Sequence, residues 1–238
     1  MVELIVSFLF DEISFFNLFS YLSTRTILST LTSLLLVLIF GEGFIRLISS
    51  FQFNQTFDGR APDRHMVKQG TPTMGGILIV SSVLISGILW GNLFDKYLIL
   101  GLICIVGFAI IGFIDDYKKT KIESSKGLSS IEKIFFQSIL AGVISISLFM
   151  LAVDKNELIY IVPFFKDVAL DLGIFFIFIS IFIIVGSSNA VNLTDGLDGL
   201  AILPVIIITS ALGIIAWAAG NVIASDYLYI PYVEGTGE

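Results

Sequence analysis

Asp115 and Asp116 stand side by side at the end of the apolar run Ile110-Ile111-Gly112-Phe113-Ile114, and Lys118, Lys119 and Lys121 follow directly. If that run is a helix, the pair sits at its C-terminus. There the helix dipole disfavours each carboxylate by roughly 0.3–1 kcal/mol, and mutual repulsion adds to the penalty. Such a pair calls for a nearby cation, either Lys118 and Lys119 or a divalent metal.

A second cluster occupies 187–199, where Asn189, Asn192, Asp195 and Asp198 recur every third residue and no basic residue intervenes. That spacing puts neighbours on one side of a helical or tightly turning segment. Gly196 and Gly199 let the backbone turn sharply or approach a ligand. Nothing local neutralises the two acids, and ionisable residues at membrane depth are functional suspects. Carboxylates in ones and twos beside lysines suit magnesium–phosphate chemistry. Magnesium takes one or two carboxylates, waters and substrate phosphates, while lysines neutralise the remaining phosphate charge. Phosphoryl transfer needs little beyond such positioning and electrostatics.

A third stretch, 68–76, reads Lys68-Gln69-Gly70-Thr71-Pro72-Thr73-Met74-Gly75-Gly76. Physically it is a helix start, with Thr71 or Thr73 as cap, a spare Lys68 able to meet phosphate, and a glycine pair permitting close helix packing. His65 is the sole histidine and lies in an Arg-rich loop, so it receives no role.

The elements that must hold these residues are apolar spans. Six stand out, near 26–48 (interrupted at Gly41-Glu42-Gly43), 74–93, 97–114, 134–153, 172–190 and 200–219, with Pro204 in the opening turns of the last. Runs of about 20 apolar residues are long enough to cross about 30 Å of hydrocarbon. The chain is 56% hydrophobic and only 14% charged, where a soluble domain carries about 25% charged residues. A soluble enzyme with a large core is thereby excluded, and a net charge of −7 offers nothing to nucleic acid.

The expected fold is an all-α polytopic bundle forming one membrane domain over 1–238. Nine of the 13 Lys and Arg fall on the side of the loops after spans one and three (Arg46, Arg60, Arg64, Lys68, Lys118, Lys119, Lys121, Lys126 and Lys133). Four fall opposite (Arg25, Lys96, Lys155 and Lys166). The positive-inside bias predicts cytoplasmic loops at 49–73, 115–133 and 187–199 and an outside N-terminus. The first 20 residues hold three acids and no base, which is not a signal peptide. They read as an interfacial aromatic segment. Cys104 is the only cysteine, so no intrachain disulfide forms.

Together the stretches 68–76, 112–119 and 187–201, with the closing 229–238, resemble the phospho-N-acetylmuramoyl-pentapeptide-transferase family. This family lies within the polyprenyl-phosphate N-acetylhexosamine-1-phosphate transferases. The Asp pair is shared across that superfamily, and the 71–76 stretch is narrower. The resemblance implies a magnesium-dependent enzyme of the bacterial inner membrane with its site on the cytoplasmic face. It would move phospho-MurNAc-pentapeptide from UDP-MurNAc-pentapeptide to undecaprenyl phosphate, giving lipid I and UMP. Carried over by position, Asp115, Asp116 and Asp195 are the catalytic and metal residues. Lys68, Thr73, Lys119, Lys133, Asn189, Asn192 and Asp198 contact substrate. The lipid bilayer is the implied surrounding, and a homodimer is a further expectation.

The family's pattern also has ten spans, a further Asp motif and a histidine-rich loop after the sixth. The chain therefore reads as the N-terminal two-thirds or so, with an incomplete site and no transfer activity of its own. Two rivals remain at this point. One is a sister enzyme transferring GlcNAc-1-phosphate. The other is a transporter with acidic coupling residues, although transporters place such sites near the bilayer midplane and here the acids gather at the inner boundary.

Overall fold

The structure, a computed structural model, describes residues 14–51, 74–121, 127–162, 169–194 and 199–237. Its elements are α1 (Leu22–Ser50), α2 (Gly76–Trp90), α3 (Lys96–Lys121), α4 (Ser130–Leu151), β1 (Ile159–Ile161), β2 (Ala169–Asp171), α5 (Phe175–Thr194), α6 (Ile202–Ala219) and α7 (Val222–Leu228). Among the described residues five helices (α1, α3, α4, α5 and α6) are long and apolar enough to cross a membrane, and α2 is a shorter apolar helix. The protein is an all-α, multi-pass membrane bundle, as its apolar runs predict. A small antiparallel ladder, Ile159 opposite Asp171 and Ile161 opposite Ala169, is added to it.

Lipid as solvent reverses the usual distribution of side chains. Leu38, Phe182 and Met150 are largely exposed, whereas Ala141, Ser145, Ser82 and Ser86 are buried. Without a hydrophobic drive between helices, small residues let backbones approach. The hydroxyls of Thr26, Thr30 and Ser82 satisfy themselves on carbonyls one turn back, at 2.8–2.9 Å.

The chain divides into two compact units, Met1–Phe94 with Gly101–Phe136, and Asp95–Leu100 with Gln137–Glu238. In the first, α1 lies along α2. Trp90 Nε1 donates to Thr32 Oγ1 at 2.9 Å, and the Phe19 ring of the expected aromatic segment stacks on Trp90 at 6.0 Å. α1 runs unbroken through Gly41-Glu42-Gly43, where an interruption was expected. A helical glycine costs only about 1 kcal/mol against alanine, and the Glu42 carboxylate accepts from Arg46 at 3.4 Å one turn on.

α2 stops at Trp90, short of the expected 93. Gly91 is extended, with ψ 158°, and Asn92 Oδ1 accepts the Phe94 N–H at 3.0 Å, which turns the chain. α4 opens on a reciprocal cap. Ser129 N–H donates to Glu132 Oε2 at 2.9 Å, and Glu132 N–H donates to Ser129 Oγ at 3.2 Å, satisfying two donors that the helix start leaves free.

In the second unit Glu157 anchors the turn after α4. Its Oε2 accepts from Lys96 Nζ at 2.6 Å and Tyr97 Oη at 2.5 Å, and its Oε1 from the N–H groups of Val153 and Asp154. Burial pushes this carboxyl up, yet the Lys96 ammonium and those hydrogen bonds outweigh burial and hold it down at about 2. The 230–237 tail folds back on α6, with Val233 N–H donating to the Ala219 carbonyl at 2.9 Å and Thr236 Oγ1 to that of Ala216 at 3.1 Å.

Candidate active site

α3 does not end at the acid pair. It continues to Lys121, so Asp115 and Asp116 lie inside the helix and the expected C-terminal dipole penalty does not apply to them. The physical reason is local: Asp115 and Lys119 are spaced for an i,i+4 ion pair, and lysines favour a helix's last turns. Lys119 Nζ donates to Asp115 Oδ2 at 2.6 Å.

The two acids then diverge. Asp115 is buried. Its Oδ2 also accepts from Lys133 Nζ, on the first turn of α4, at 3.2 Å, and its Oδ1 accepts the Leu128 N–H at 2.8 Å. The preceding Gly127 has φ +53°, and a Cβ there would lie 2.5 Å from Asp115 Oδ1 and 2.8 Å from Lys119 Cε. Only glycine fits this turn without displacing the carboxylate. Asp116 is 42% exposed, and Lys119 Nζ stands 3.7 Å from its Oδ1. Of the two lysines the sequence offered as counter-ions, Lys119 takes that part. Lys118 lies 4.0 Å from Glu132 instead.

Asp116 also borders a cavity of about 410 Å³ between α2 and α3, otherwise lined by apolar and small residues such as Val80, Leu84, Val106, Ala109 and Phe113. At its polar end Met74 holds φ 72°, a left-handed conformation uncommon outside glycine. At the far end an added Cβ on Gly87 would sit 3.2 Å from Leu102 Cδ2, so the two helices touch there. Gly75 and Gly76, expected to allow close packing, have nothing within 4 Å of an added Cβ among the described residues.

The second cluster is helical as far as Thr194, where a loop from 187 was expected. Asn189 Nδ2 donates to Gln137 Oε1 at 2.7 Å and to the Val185 carbonyl at 2.8 Å. The buried Gln137 donates in turn to Ser188 Oγ at 3.3 Å. Both amide hydrogens of Asn189 are thus used, which leaves its carbonyl oxygen as the acceptor on offer. Asn192, one turn on, is exposed. Lys68, Thr73, Asp195 and Asp198 lie outside the described residues.

Sequence reasoning missed Gly127, the Leu128 N–H and Gln137. A signal for the first two was present in the Ser129-x-x-Glu132 cap, which fixes where the turn must end. Gln137 gave only a lone polar residue in an apolar run.

Among the described residues no three His, Cys, Asp or Glu side chains converge on a point. Asp116, half-buried and only loosely paired, suits one carboxylate position of a magnesium ion. Asp115 accepts two hydrogen bonds on Oδ2 and one on Oδ1, which leaves Oδ1 the oxygen with a lone pair to offer a cation.

Residues 98–232, more than half of the chain, match the model of glycosyl transferase family 4. The chain belongs to glycosyl transferase family 4. Residues 68–80 match signature 1 of phospho-N-acetylmuramoyl-pentapeptide-transferase, so this family 4 member is a phosphoglycosyl transferase of that type. The family 4 match takes in Asp115, Asp116, Lys119, Lys133, Asn189, Asn192, Asp195 and Asp198. The signature takes in Lys68, Thr73 and the first turn of α2.

Proposed function

We propose that the protein transfers phospho-MurNAc-pentapeptide from UDP-MurNAc-pentapeptide to undecaprenyl phosphate, with magnesium, at the cytoplasmic face of the bacterial inner membrane. An acceptor phosphate oxygen forms a bond to the sugar-side phosphorus of the diphosphate. The bond from that phosphorus to the bridging oxygen breaks, leaving lipid I and UMP. The observation that carries this reading is the asymmetry of the acid pair. Asp116 is half-buried at the polar end of an apolar cavity beside Lys119, while Asp115 is committed to Lys119, Lys133 and the Leu128 N–H.

In this scheme Asp116 would hold magnesium, a role the resemblance also gives to Asp195, and the bound ion would neutralise charge on the diphosphate. Lys119 and Lys133 steady phosphate oxygens as point charges. Asp115 acts as the brace that fixes both ammonium groups and the 127–128 turn. Asn189 offers a carbonyl acceptor to the nucleotide side, and Lys68, Thr73, Asn192 and Asp198 complete the substrate contacts. Preorganised charge of this kind is commonly the largest catalytic contribution.

The signature over 68–80 supports the MurNAc donor over UDP-GlcNAc. The test is equilibrium binding to the purified chain in detergent. Magnesium-dependent binding of UDP-MurNAc-pentapeptide about tenfold or more tighter than UDP-GlcNAc, or roughly 1.4 kcal/mol, is expected. Equal affinities favour the GlcNAc-1-phosphate enzyme, and binding of neither overturns the proposal.

A further inference from the structure

α6 ends at Ala219, and α7 (Val222–Leu228) begins two residues further on. Trp217, in the last turn of α6, is half-exposed beside the lipid-facing Ile214 and Ile215. Trp and Tyr collect at the boundary between membrane and water. Trp217 therefore marks the depth at which α6 leaves hydrocarbon, and α7 starts close to that depth.

α7 is held in one rotational setting. Asn221 Oδ1 accepts the Ala224 N–H at 3.0 Å and opens the helix, and Tyr229, with φ 55°, closes it. The carbonyl of the buried Ser225 accepts the Ile230 N–H at 3.0 Å, which ties the inner side to the returning 230–237 tail. That tail is itself fixed on α6, because a Cβ on Gly220 would stand 2.5 Å from Gly237 N.

Successive residues turn by about 100° around a helix, so Ile223 and Tyr227 share the side away from Ser225, with Val222 flanking them. Ile223 is 82% exposed, Tyr227 81% and Val222 63%. Large apolar side chains thus face outward while Ser225 faces inward, the reverse of a helix bathed in water. No Lys, Arg or His follows Lys166. Interfacial helices are held by buried apolar area and by basic residues drawn to anionic lipid; here the apolar area acts without the basic residues.

We propose that α7 is an interfacial anchor, with Val222, Ile223 and Tyr227 entering the boundary of headgroups and acyl chains at the C-terminal end of α6. Lipid is the occupant because α7 continues, within two residues, a helix whose exposed side is already immersed in it. Through the Ser225–Ile230 and Ala219–Val233 hydrogen bonds, the anchor sets the depth at which α6 ends and its tail folds back. This role is independent of the donor and acceptor of the transfer reaction.

The test uses the unaltered chain in phosphatidylcholine vesicles that contain a phosphatidylcholine bearing a diazirine near its headgroup. After irradiation, adducts are expected on Ile223 and Tyr227. Replacing about a third of the lipid with phosphatidylglycerol should change their yield by less than about twofold, since no basic residue contributes. Raising the protein-to-lipid ratio about tenfold should leave the yield per chain unchanged. A nitroxide at Ile223→Cys, in a Cys104→Ser background, should be relaxed more by oxygen than by a water-soluble nickel chelate. Absence of adducts from 222–229, or stronger relaxation by nickel, would place α7 in water and overturn the proposal. A yield that falls as protein rises would assign the face to a second copy, and one that climbs severalfold with phosphatidylglycerol would assign it to headgroup charge; either result also overturns it.

Discussion

Lys133, on the first turn of α4, reaches to α3 and places its ammonium 3.2 Å from Asp115 Oδ2, on the oxygen that already accepts from Lys119 at 2.6 Å. One buried carboxylate therefore ties the start of one helix to the last turns of another. Its sequence neighbour Asp116 stays outside that tie.

The two acids should consequently fail in different ways. Asp115→Asn leaves two lysines short of their partner and should destabilise the protein by about 1–3 kcal/mol. Asp116→Asn should change stability by less than about 0.5 kcal/mol, yet, placed in a full-length transferase, lower transfer at least about 100-fold, the scale of a lost electrostatic group. Thermal unfolding and UMP release measured side by side check this. A stable, inactive Asp115 variant together with an unstable, active Asp116 variant would reverse the assignment.

Gly127→Ala tests the turn that covers Asp115. The left-handed backbone costs a non-glycine residue roughly 1–2 kcal/mol, and the new methyl meets Asp115 Oδ1 at 2.5 Å. Hydrogen exchange at the Leu128 amide should accelerate by about tenfold, which is 1.4 kcal/mol of lost protection. Unchanged protection would mean that the Asp115–Leu128 bond does not hold the turn.

Glu157 gives the protein an acid-sensitive joint away from the active site. Its carboxyl lies at about 2, below the ordinary 4.5, so the folded state favours the ionised form. The resulting stabilisation is fully present above about pH 4.5 and is lost as pH falls toward about 2. Exchange protection at 153–158 should decline across that window, and Glu157→Gln should start low and lose the slope. A slope that survives in Glu157→Gln would place the titrating group elsewhere.

Gln137→Met keeps the side-chain volume but removes the acceptor for Asn189 Nδ2. A buried donor left without its partner costs about 1–3 kcal/mol, so unfolding in denaturing detergent should come earlier. Asn189, freed to rotate, should weaken donor binding several-fold. Donor affinity equal to the unaltered protein would separate Asn189 from the nucleotide side.

The proposed orientation predicts that single cysteines at Ser124 and Asn156, in a Cys104→Ser background, label from opposite sides of the membrane. Modification of both by an impermeant reagent applied outside the cell would refute the nine-to-four charge asymmetry as a guide to this chain.

What could be read from the sequence follows from the solvent. In hydrocarbon every backbone group must pair internally, so α1, α3, α4, α5 and α6 appear as apolar runs and were legible as such. The end of α3 was not, because lysines and acids suggested a loop, although the Asp115–Lys119 spacing was the cue that the helix continues. The unequal fates of Asp115 and Asp116 depend on Leu128 and Lys133, 13 and 18 residues away, and no local pattern encodes such partners. The β1–β2 ladder has three residues a side, too short to display a period. Gln137 gains meaning only once Asn189 and Ser188 are beside it.

α2 carries one more implication. Its 15 residues span about 22 Å, against a hydrocarbon layer of about 30 Å. A short apolar helix is accommodated by local thinning of the bilayer, at a fraction of a kcal/mol for each ångström of mismatch. Lipids bordering α2 would then be compressed, and their phosphates would ride lower beside Gly76 and Asp116 than in the surrounding membrane. Host-membrane thickness thereby becomes a control on how readily a lipid head reaches this protein, and vesicles of longer-chain lipids should slow that approach.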